Sequence, residues 1–269
     1  MAHPSPASDL LPAVELIAQR AGREILEVYA TDFESRPKAD DSPLTEADLR
    51  AHRLIMSSLR ALTPDIPVLS EESVEIPFSQ RSQWSRYWLV DPLDGTKEFV
   101  SRNGEFTVNI ALISGHRPEM GVVYIPVTDT TYSGIPGVGA WRDTGGRGRM
   151  AISVRRIAQP PLRVVGSRSH GNDALAKALD ALGSHELKPA GSSIKLCLVA
   201  DGSADLYPRL GPTSEWDIAA GQAVIEAAGG QVVRLPDGLA LSYNTKANIL
   251  NPQFLAYGDP ACFRKWPRG

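Results

Sequence analysis

The stretch Trp88–Phe99, WLVDPLDGTKEF, decides how the chain is interpreted, because a run of apolar residues ends there in closely spaced acids. Asp91 and Asp94 stand three residues apart, with a proline between them and Gly-Thr-Lys directly after them. Two carboxylates about 4 Å apart repel by roughly 4 kcal/mol at an effective dielectric constant of 20. If the turn brings these two together, the stretch therefore predicts a site that binds protons or cations.

The residues around the two acids suit a combined metal and phosphate site. Pro92 fixes its φ angle and lacks an amide donor, so it shapes the turn. The Leu93 carbonyl can then point the same way as the carboxylates and act as a neutral ligand. Gly95 allows a close approach of the backbone, and its amide and that of Thr96 would suit a phosphate oxygen. The alternative is plain turn chemistry, since Asp, Pro and Gly are common in turns.

Further acids follow other predicted elements. Glu71 lies just past the end of a short predicted strand at 66–69, and Asp217 falls in the first turn of a helix that is stopped by Gly-Gly at 229–230. Clustered carboxylates favour Mg²⁺ or Mn²⁺ over zinc. Each acid also has a simpler interpretation: Glu71 as a solvated loop residue and Asp217 as a charge that favours a helix N-terminus. Asp48 could complete a capping box with Thr45.

The pattern of apolar residues predicts two halves that meet near residue 158. Helical spacing over 9–30 and from Thr45 to Leu62 precedes alternating strands in YWLVD, EFTVNIALIS and MGVVYIPVT, which indicates an α+β half with an antiparallel sheet. After Pro160-Pro161, strands and helices alternate, which is typical of an α/β half. The predicted helices there are NDALAKALDAL, SSIKLCLVADG and SEWDIAAGQAVIEAAGG.

Composition limits the classes of function. The chain has 269 residues, 42% of them hydrophobic, with a net charge of -3, so nothing global indicates binding to nucleic acid or to an anionic membrane. The arginines between Arg142 and Arg156 are interrupted by Asp143 and favour a solvated surface. Two cysteines without metal-site spacing are typical of a reduced protein. We expect no signal peptide, no integral membrane segment and a cytoplasmic location.

DPLDGTKEF, with SEES before it and EWDIAAGQAVIEAAGG after it, resembles the inositol-monophosphatase-like, lithium-sensitive phosphatases. The resemblance runs from about residue 8 to about residue 257. It implies a layered αβαβα sandwich of the inositol monophosphatase / fructose-1,6-bisphosphatase type, and inhibition by Li⁺. It places most metal ligands in a domain of residues 1–158, and the nucleotide-binding segments with Asp217 in a domain of residues 159–269.

Several segments look like one branch of that superfamily, the bacterial 3'(2'),5'-bisphosphate nucleotidases. Glu98 stands where inositol phosphatases usually have Asn, and SRSH, GSSIKLCLVADG and LYPRLGPTSEWD are similar to the nucleotidases. The resemblance implies hydrolysis of the 3'-phosphate of adenosine 3',5'-bisphosphate to AMP, in sulfur assimilation, with two or three Mg²⁺ ions. It leaves open the phosphosulfate analogue as a second substrate. It also leaves open a monomer or a homodimer, and peripheral association with the inner membrane face.

The resemblance also implies roles for individual residues. Thr96 would help to orient the attacking water, and either Asp48 or Glu71 would be the main acid that activates it. The implied metal ligands are Glu71, Asp91, the Leu93 carbonyl, Asp94 and Asp217. The implied substrate contacts are Leu93, Asp94, Gly95, Thr96, Ser167, His170, Ser192, Lys195 and Asp217. Ser192 could instead be a helix N-cap, and His170 could be an ordinary loop residue.

Two rival functions stay open on the sequence. One is the same phosphomonoester hydrolysis on inositol monophosphate or a related sugar phosphate, which Glu98 and the SRSH and GSSIK segments disfavour. The other is a regulatory protein that binds metal and phosphate without catalysis, which the threonine after Gly95 disfavours. No serine-elbow or cysteine-loop motif indicates a covalent enzyme intermediate. The resemblance implies direct, in-line attack of water on phosphorus.

Overall fold

The computed structural model describes residues 6–37, 43–73, 76–167 and 173–267. The helices are α1 (Ala7–Tyr29), α2 (Glu46–Leu62), α3 (Phe78–Arg81), α4 (Thr96–Val100), α5 (Asp173–Leu182), α6 (Ile194–Ala200), α7 (Glu215–Ala227) and α8 (Pro260–Lys265). The strands up to residue 152 are β1 (Ser35–Pro37), β2 (Pro43–Thr45), β3 (Val68–Ser70), β4 (Arg86–Asp94), β5 (Thr107–Ser114), β6 (Arg117–Ile125), β7 (Thr130–Ile135), β8 (Gly139–Thr144) and β9 (Met150–Ile152). The later strands are β10 (Leu162–Ser167), β11 (His185–Ala190), β12 (Leu206–Arg209), β13 (Gln231–Arg234) and β14 (Phe254–Tyr257).

The larger sheet has the order β3-β4-β5-β6-β7-β8-β9. The pairs from β4 to β9 are antiparallel, as the sequence predicts. β3 pairs with β4 in parallel, which the prediction of antiparallel strands did not include. Side chains alternate along β4 because successive residues of a strand face opposite sides. Trp88 and Val90 join the core under α1 and α2, whereas Tyr87 and Leu89 join the core under α7.

The smaller sheet has the order β11-β10-β12-β14-β13. β10 runs parallel to β11 and β12, and the connections α5 and α6 are the helices that the α/β pattern predicts. β14 runs antiparallel to both of its neighbours, so this sheet is mixed rather than fully parallel. The chain reaches β14 through residues 235–253, which have no helical or strand period from which this direction could be predicted.

The cores show five layers of alternating helices and sheets. α1 and α2 cover the outer face of the larger sheet, and α5 and α8 cover the outer face of the smaller one. α6 and α7 lie between the sheets in a core shared by both. α7 buries residues on nearly all of its faces, which is expected of a helix packed on two sides. The predicted αβαβα sandwich is therefore confirmed.

Glycines allow α7 to lie directly against the larger sheet. A Cβ atom at Gly121 of β6 would lie 2.3 Å from the Ala220 carbonyl oxygen, and one at Gly134 of β7 would lie 2.8 Å from the Val224 Cα. The two sheets separate near residue 158, between β9 and β10, yet this shared core joins them. The division into two domains at that residue stays a prediction.

Candidate active site

Three carboxylates from distant parts of the chain meet at one end of the larger sheet. Asp94 is the last residue of β4, Asp91 lies three residues before it in the same strand, and Asp217 lies in the first turn of α7. Potential ligand atoms of all three lie within 4.8 Å of one another. The register of β4 against β5 shifts between Asp91 and Asp94, which bends the strand as a bulge does. The DPLD spacing therefore brings both acids to the same point.

Burial and like charge make this cluster unfavourable without a cation. Burial raises the pKa of the Asp91 carboxyl well above its usual range, and the nearby negative charges of Glu71 and Asp94 raise it further. Burial and the charge of Asp94 likewise raise the pKa of Asp217. A bound cation would relieve both effects, so the donor chemistry of the cluster fits a hard divalent metal ion.

Asp94 is held by a network of hydrogen bonds that sequence reasoning missed. Its Oδ2 accepts from the Ser192 hydroxyl at 2.7 Å, from the Ser193 amide at 2.7 Å and from the Ser193 hydroxyl at 2.9 Å. Asn109 donates to the same oxygen at 3.3 Å. Oδ2 is thus occupied by the protein, which leaves the other carboxylate oxygen for the cluster.

The turn after Asp94 has the geometry that the sequence predicts. Gly95 has φ +89°, in the left-handed region that favours glycine, and α4 begins at Thr96. A Cβ atom at Gly95 would also lie 3.1 Å from the Ser192 Cβ. The Thr96 hydroxyl lies 3.3 Å from the Leu93 carbonyl oxygen.

Asp48 is both the capping-box residue of α2 and a neighbour of Thr96, which are the two roles that the sequence left open. Its Oδ2 accepts from the amide and the hydroxyl of Thr45, at 2.7 and 2.6 Å, which completes the capping box of α2. Its Oδ1 lies 3.3 Å from the Thr96 hydroxyl. The cap therefore fixes a buried carboxylate with one oxygen directed toward Thr96.

A cavity of about 380 Å³ opens over the three carboxylates. Most of the residues implied by the resemblance line it: Glu71, Asp91, Leu93, Asp94, Gly95, Thr96, Ser167, Ser192, Lys195 and Asp217. Asp48 is absent from this lining and reaches the site through Thr96. His170 lies outside the described residues. Lining residues that the sequence reasoning did not name as site residues include Lys97, Ser193, Tyr207 and Arg209.

Lys195 and Ser192, two of the implied substrate contacts, both make hydrogen bonds within the protein. The side chain of Lys195 is buried and donates to the carbonyl oxygens of Ala190 at 3.1 Å and Ser192 at 2.6 Å. Burial lowers the pKa of Lys195 to about 8. Ser192 is not the N-cap of α6, because that position belongs to Ser193; Ser192 has φ +48° and bonds Asp94 instead.

Arg209 adds a second cation to the cavity wall. Its Nη2 donates to the Pro212 carbonyl at 2.7 Å, whereas its buried Nε has no hydrogen-bond partner among the described residues. Arg209 belongs to the LYPRLGPTSEWD segment, so its position in that segment was the available signal. Together with Lys195 it adds positive charge to the cavity that the acids also line.

Across the described ranges, no helix has both the length and the apolar character needed to cross a bilayer.

The chain belongs to the inositol monophosphatase family, whose sequence profile matches residues 7–257. Over 247 residues it is 52% identical to the 3'(2'),5'-bisphosphate nucleotidase CysQ of Salmonella typhimurium (strain LT2), covering 91% of this chain and 98% of that protein. The protein of the same name from Escherichia coli (strain K12) is 51% identical over the same length, with the same coverage. The resemblance inferred from the sequence is confirmed.

Solved structures agree with this assignment. The crystal structure of CysQ from Bacteroides thetaiotaomicron, a bacterial member of the inositol monophosphatase family, superposes with a TM-score of 0.82 at 41% identity, covering 93% of this chain and 97% of that one. An inositol monophosphatase from Anabaena (Nostoc) sp. PCC 7120, at 24% identity and a TM-score of 0.73, covers 97% of each chain and shares the fold.

Proposed function

We propose that this protein is a Mg²⁺-dependent phosphomonoesterase that hydrolyses the 3'-phosphate of adenosine 3',5'-bisphosphate to give AMP and phosphate. The observation that carries the proposal is the convergence of Asp91, Asp94 and Asp217 beneath a cavity that also holds Lys195 and Arg209. Negative charge that needs a metal thus lies beside positive charge that suits a second phosphate. The relatives named as 3'(2'),5'-bisphosphate nucleotidases support this substrate over an inositol phosphate.

The ligand set we propose is Glu71, Asp91, the Leu93 carbonyl, Asp94 and Asp217. These oxygen donors fit two or three Mg²⁺ ions, because Mg²⁺ prefers carboxylate, carbonyl and water ligands. When bound, Mg²⁺ supplies positive charge that polarises the phosphoryl group and lowers the pKa of a water molecule. Glu71 lines the same cavity and contributes to the negative field at Asp91.

Thr96 and Asp48 are the pair we assign to orienting the attacking water. The Thr96 hydroxyl can donate to Asp48 Oδ1 or to the Leu93 carbonyl, each 3.3 Å away, so its lone pairs remain available to a water. This contact supports Asp48, rather than Glu71, as the acid that partners Thr96. The amides of Gly95 and Thr96 would hold phosphoryl oxygens during in-line attack.

Lys195 and Arg209 are the groups we assign to the remaining phosphate of the nucleotide. A dianionic phosphate would favour the charged form of the buried Lys195 ammonium, offsetting the burial that lowers its pKa. Arg209 lines the same cavity, so its guanidinium group can pair with an anion there. Ser167 and Ser192 line the same cavity and would contact the ligand. His170 stays a proposed contact from the resemblance alone.

The test is a phosphate-release panel with Mg²⁺. Its substrates are adenosine 3',5'-bisphosphate, the phosphosulfate analogue, inositol 1-phosphate and fructose 1,6-bisphosphate. We expect the highest kcat/KM on one of the two adenosine nucleotides. Preference for inositol 1-phosphate or fructose 1,6-bisphosphate would refute the substrate assignment. Nucleotide binding by calorimetry without hydrolysis would instead favour a regulatory binding protein.

Asp94→Asn tests the metal-dependent chemistry directly. The amide keeps one acceptor for the Ser193 amide but loses the negative charge, so we expect turnover to be abolished while the fold survives. The matched control is Asp237→Asn, the same change at an exposed acid outside the cavity lining. An Asp94→Asn variant that keeps most of its activity would contradict the proposal.

A further inference from the structure

Ser193 contacts both of the acids that come from different layers of the fold. Its amide donates to Asp94 Oδ2 at 2.7 Å, and its hydroxyl oxygen lies 2.9 Å from the same carboxylate oxygen. The hydroxyl also lies 2.6 Å from the backbone carbonyl oxygen of Asp217. One buried side chain therefore touches the end of β4 and the first turn of α7 at once.

Asn109 completes the environment of this hydroxyl. Its fully buried amide group lies 2.9 Å from Ser193 Oγ and 3.3 Å from Asp94 Oδ2, so its two hydrogens can serve both atoms. The Asn109 carbonyl oxygen accepts from the Thr107 hydroxyl at 2.9 Å, which sets the orientation of the amide. Ser193 thus receives one hydrogen bond and has a single hydrogen to share between two acceptors.

The turn that carries Ser193 is fixed by close backbone contacts. A Cβ atom at Gly191 would lie 2.7 Å from the Glu105 carbonyl oxygen, and the Gly191 amide donates to the Glu105 carboxylate at 2.8 Å. Ser192 follows in the left-handed region with φ +48°. Because the turn is seated this tightly, Ser193 is a rigid point against which the two acids can be placed.

We propose that Ser193 is a positioning residue that sets the separation of Asp94 and Asp217 for metal binding. The two carboxylates repel each other, and they belong to two different elements, β4 and α7. The Ser193 hydroxyl ties them without occupying the cluster, because it contacts the backbone of Asp217 and only one carboxylate oxygen of Asp94. This inference rests on the proposed function, since it assumes that the acids bind Mg²⁺.

Ser193→Ala removes the tie to Asp217 and keeps the amide bond to Asp94. Removing a side chain that hydrogen-bonds a metal ligand typically weakens metal affinity by about 10- to 100-fold, and we expect the Mg²⁺ affinity of Ser193→Ala to fall by a factor in that range. Mg²⁺ affinity is measured by calorimetry on the metal-free protein, and separately as the Mg²⁺ concentration for half-maximal phosphate release. We expect this concentration to rise while kcat at saturating Mg²⁺ changes much less.

Ser133→Ala is the matched control, because it removes an equally buried serine hydroxyl from β7, outside the cavity lining. A merely structural role would lower thermal stability in both variants and leave Mg²⁺ affinity unchanged. If Ser193→Ala does not fold, Ser193→Cys carries the test: its thiol has a similar shape but is a weak donor, so Mg²⁺ affinity should again fall.

The outcomes separate this inference from the proposed function. Unchanged Mg²⁺ affinity in a folded Ser193 variant, or an equal loss in the Ser133→Ala control, would overturn the positioning role alone. A wild-type protein that binds Mg²⁺ but hydrolyses none of the four phosphate esters would overturn the proposed function, and weaker binding by Ser193→Ala would still support the positioning role. A wild-type protein that binds no Mg²⁺ would overturn both.

Discussion

Raising the pH should stabilise the metal-free protein through Lys195. Burial lowers the pKa of this lysine in the folded protein from 10.5 to about 8. At pH 7 both the folded and the unfolded states carry the proton, and the buried charge costs about 3 kcal/mol of stability, at 1.36 kcal/mol for each pKa unit. Between pH 8 and pH 10.5 the unfolded state holds more protons than the folded state, so the free energy of unfolding rises with pH.

The expected size of this effect is about 2–3 kcal/mol between pH 7 and pH 10. The assay is equilibrium unfolding by urea in EDTA at several pH values, comparing the wild type with Lys195→Met. Other groups titrate in both proteins, so their effects cancel in the difference between the two. Between pH 7 and pH 10 the free energy of unfolding of Lys195→Met should therefore rise by that amount less than the free energy of unfolding of the wild type. Lys177→Met, at an exposed lysine, is the control and should follow the wild type. Parallel curves for the wild type and Lys195→Met would refute the reasoning.

Three further changes test other parts of the structure. Asp217→Asn should stabilise the metal-free fold by about 1–2 kcal/mol, since full-charge repulsion at 4.8 Å is about 3.5 kcal/mol at a dielectric constant of 20, and should remove the rise in Tm that Mg²⁺ gives. A fall in metal-free Tm would contradict it. Gly121→Ala should cost about 1–3 kcal/mol in urea unfolding, because its Cβ would overlap the Ala220 carbonyl, whereas Gly211→Ala, with its nearest neighbour 3.9 Å away, should cost far less. Equal effects of the two would argue against tight packing of α7. Asp48→Asn should lower kcat by about 10²–10⁴-fold if Asp48 activates the water, and a larger loss in Glu71→Gln at saturating Mg²⁺ would transfer that role to Glu71.

The elements of the first half could be predicted because their signals are local. The alternation in EFTVNIALIS and the N-cap at Thr45 depend only on residues that are close together in the sequence. β5 and α2 are present where these signals predict them. Asp91, Asp94 and Asp217 could be grouped because strand ends and helix starts bring side chains to layer edges. The direction of β14 could not be predicted, since it depends on pairing with β12 and β13 after an irregular segment.

The supports of the site escaped prediction because their partners are far away in sequence. Ser193 bonds Asp94 across 99 residues, and Asn109 bonds Ser193 across 84 residues. Neither Ser193 nor Asn109 belongs to a periodic sequence pattern, and neither stands out from its neighbours in the sequence. Lys195 was predicted as a phosphate contact by resemblance, but its burial and its bonds to backbone carbonyls depend on how α6 packs against β12.

The capping box at Thr45 limits which substitutions position 48 can accept. One oxygen of Asp48 begins a helix, and the other faces the hydroxyl to which we assign the orienting of water. Selection for a stable helix and selection for turnover therefore fall on a single side chain. A growth assay of substitutions at position 48 would therefore not separate an effect on folding from an effect on turnover. Separate measurements of stability and of kcat would show which of the two a given substitution impairs.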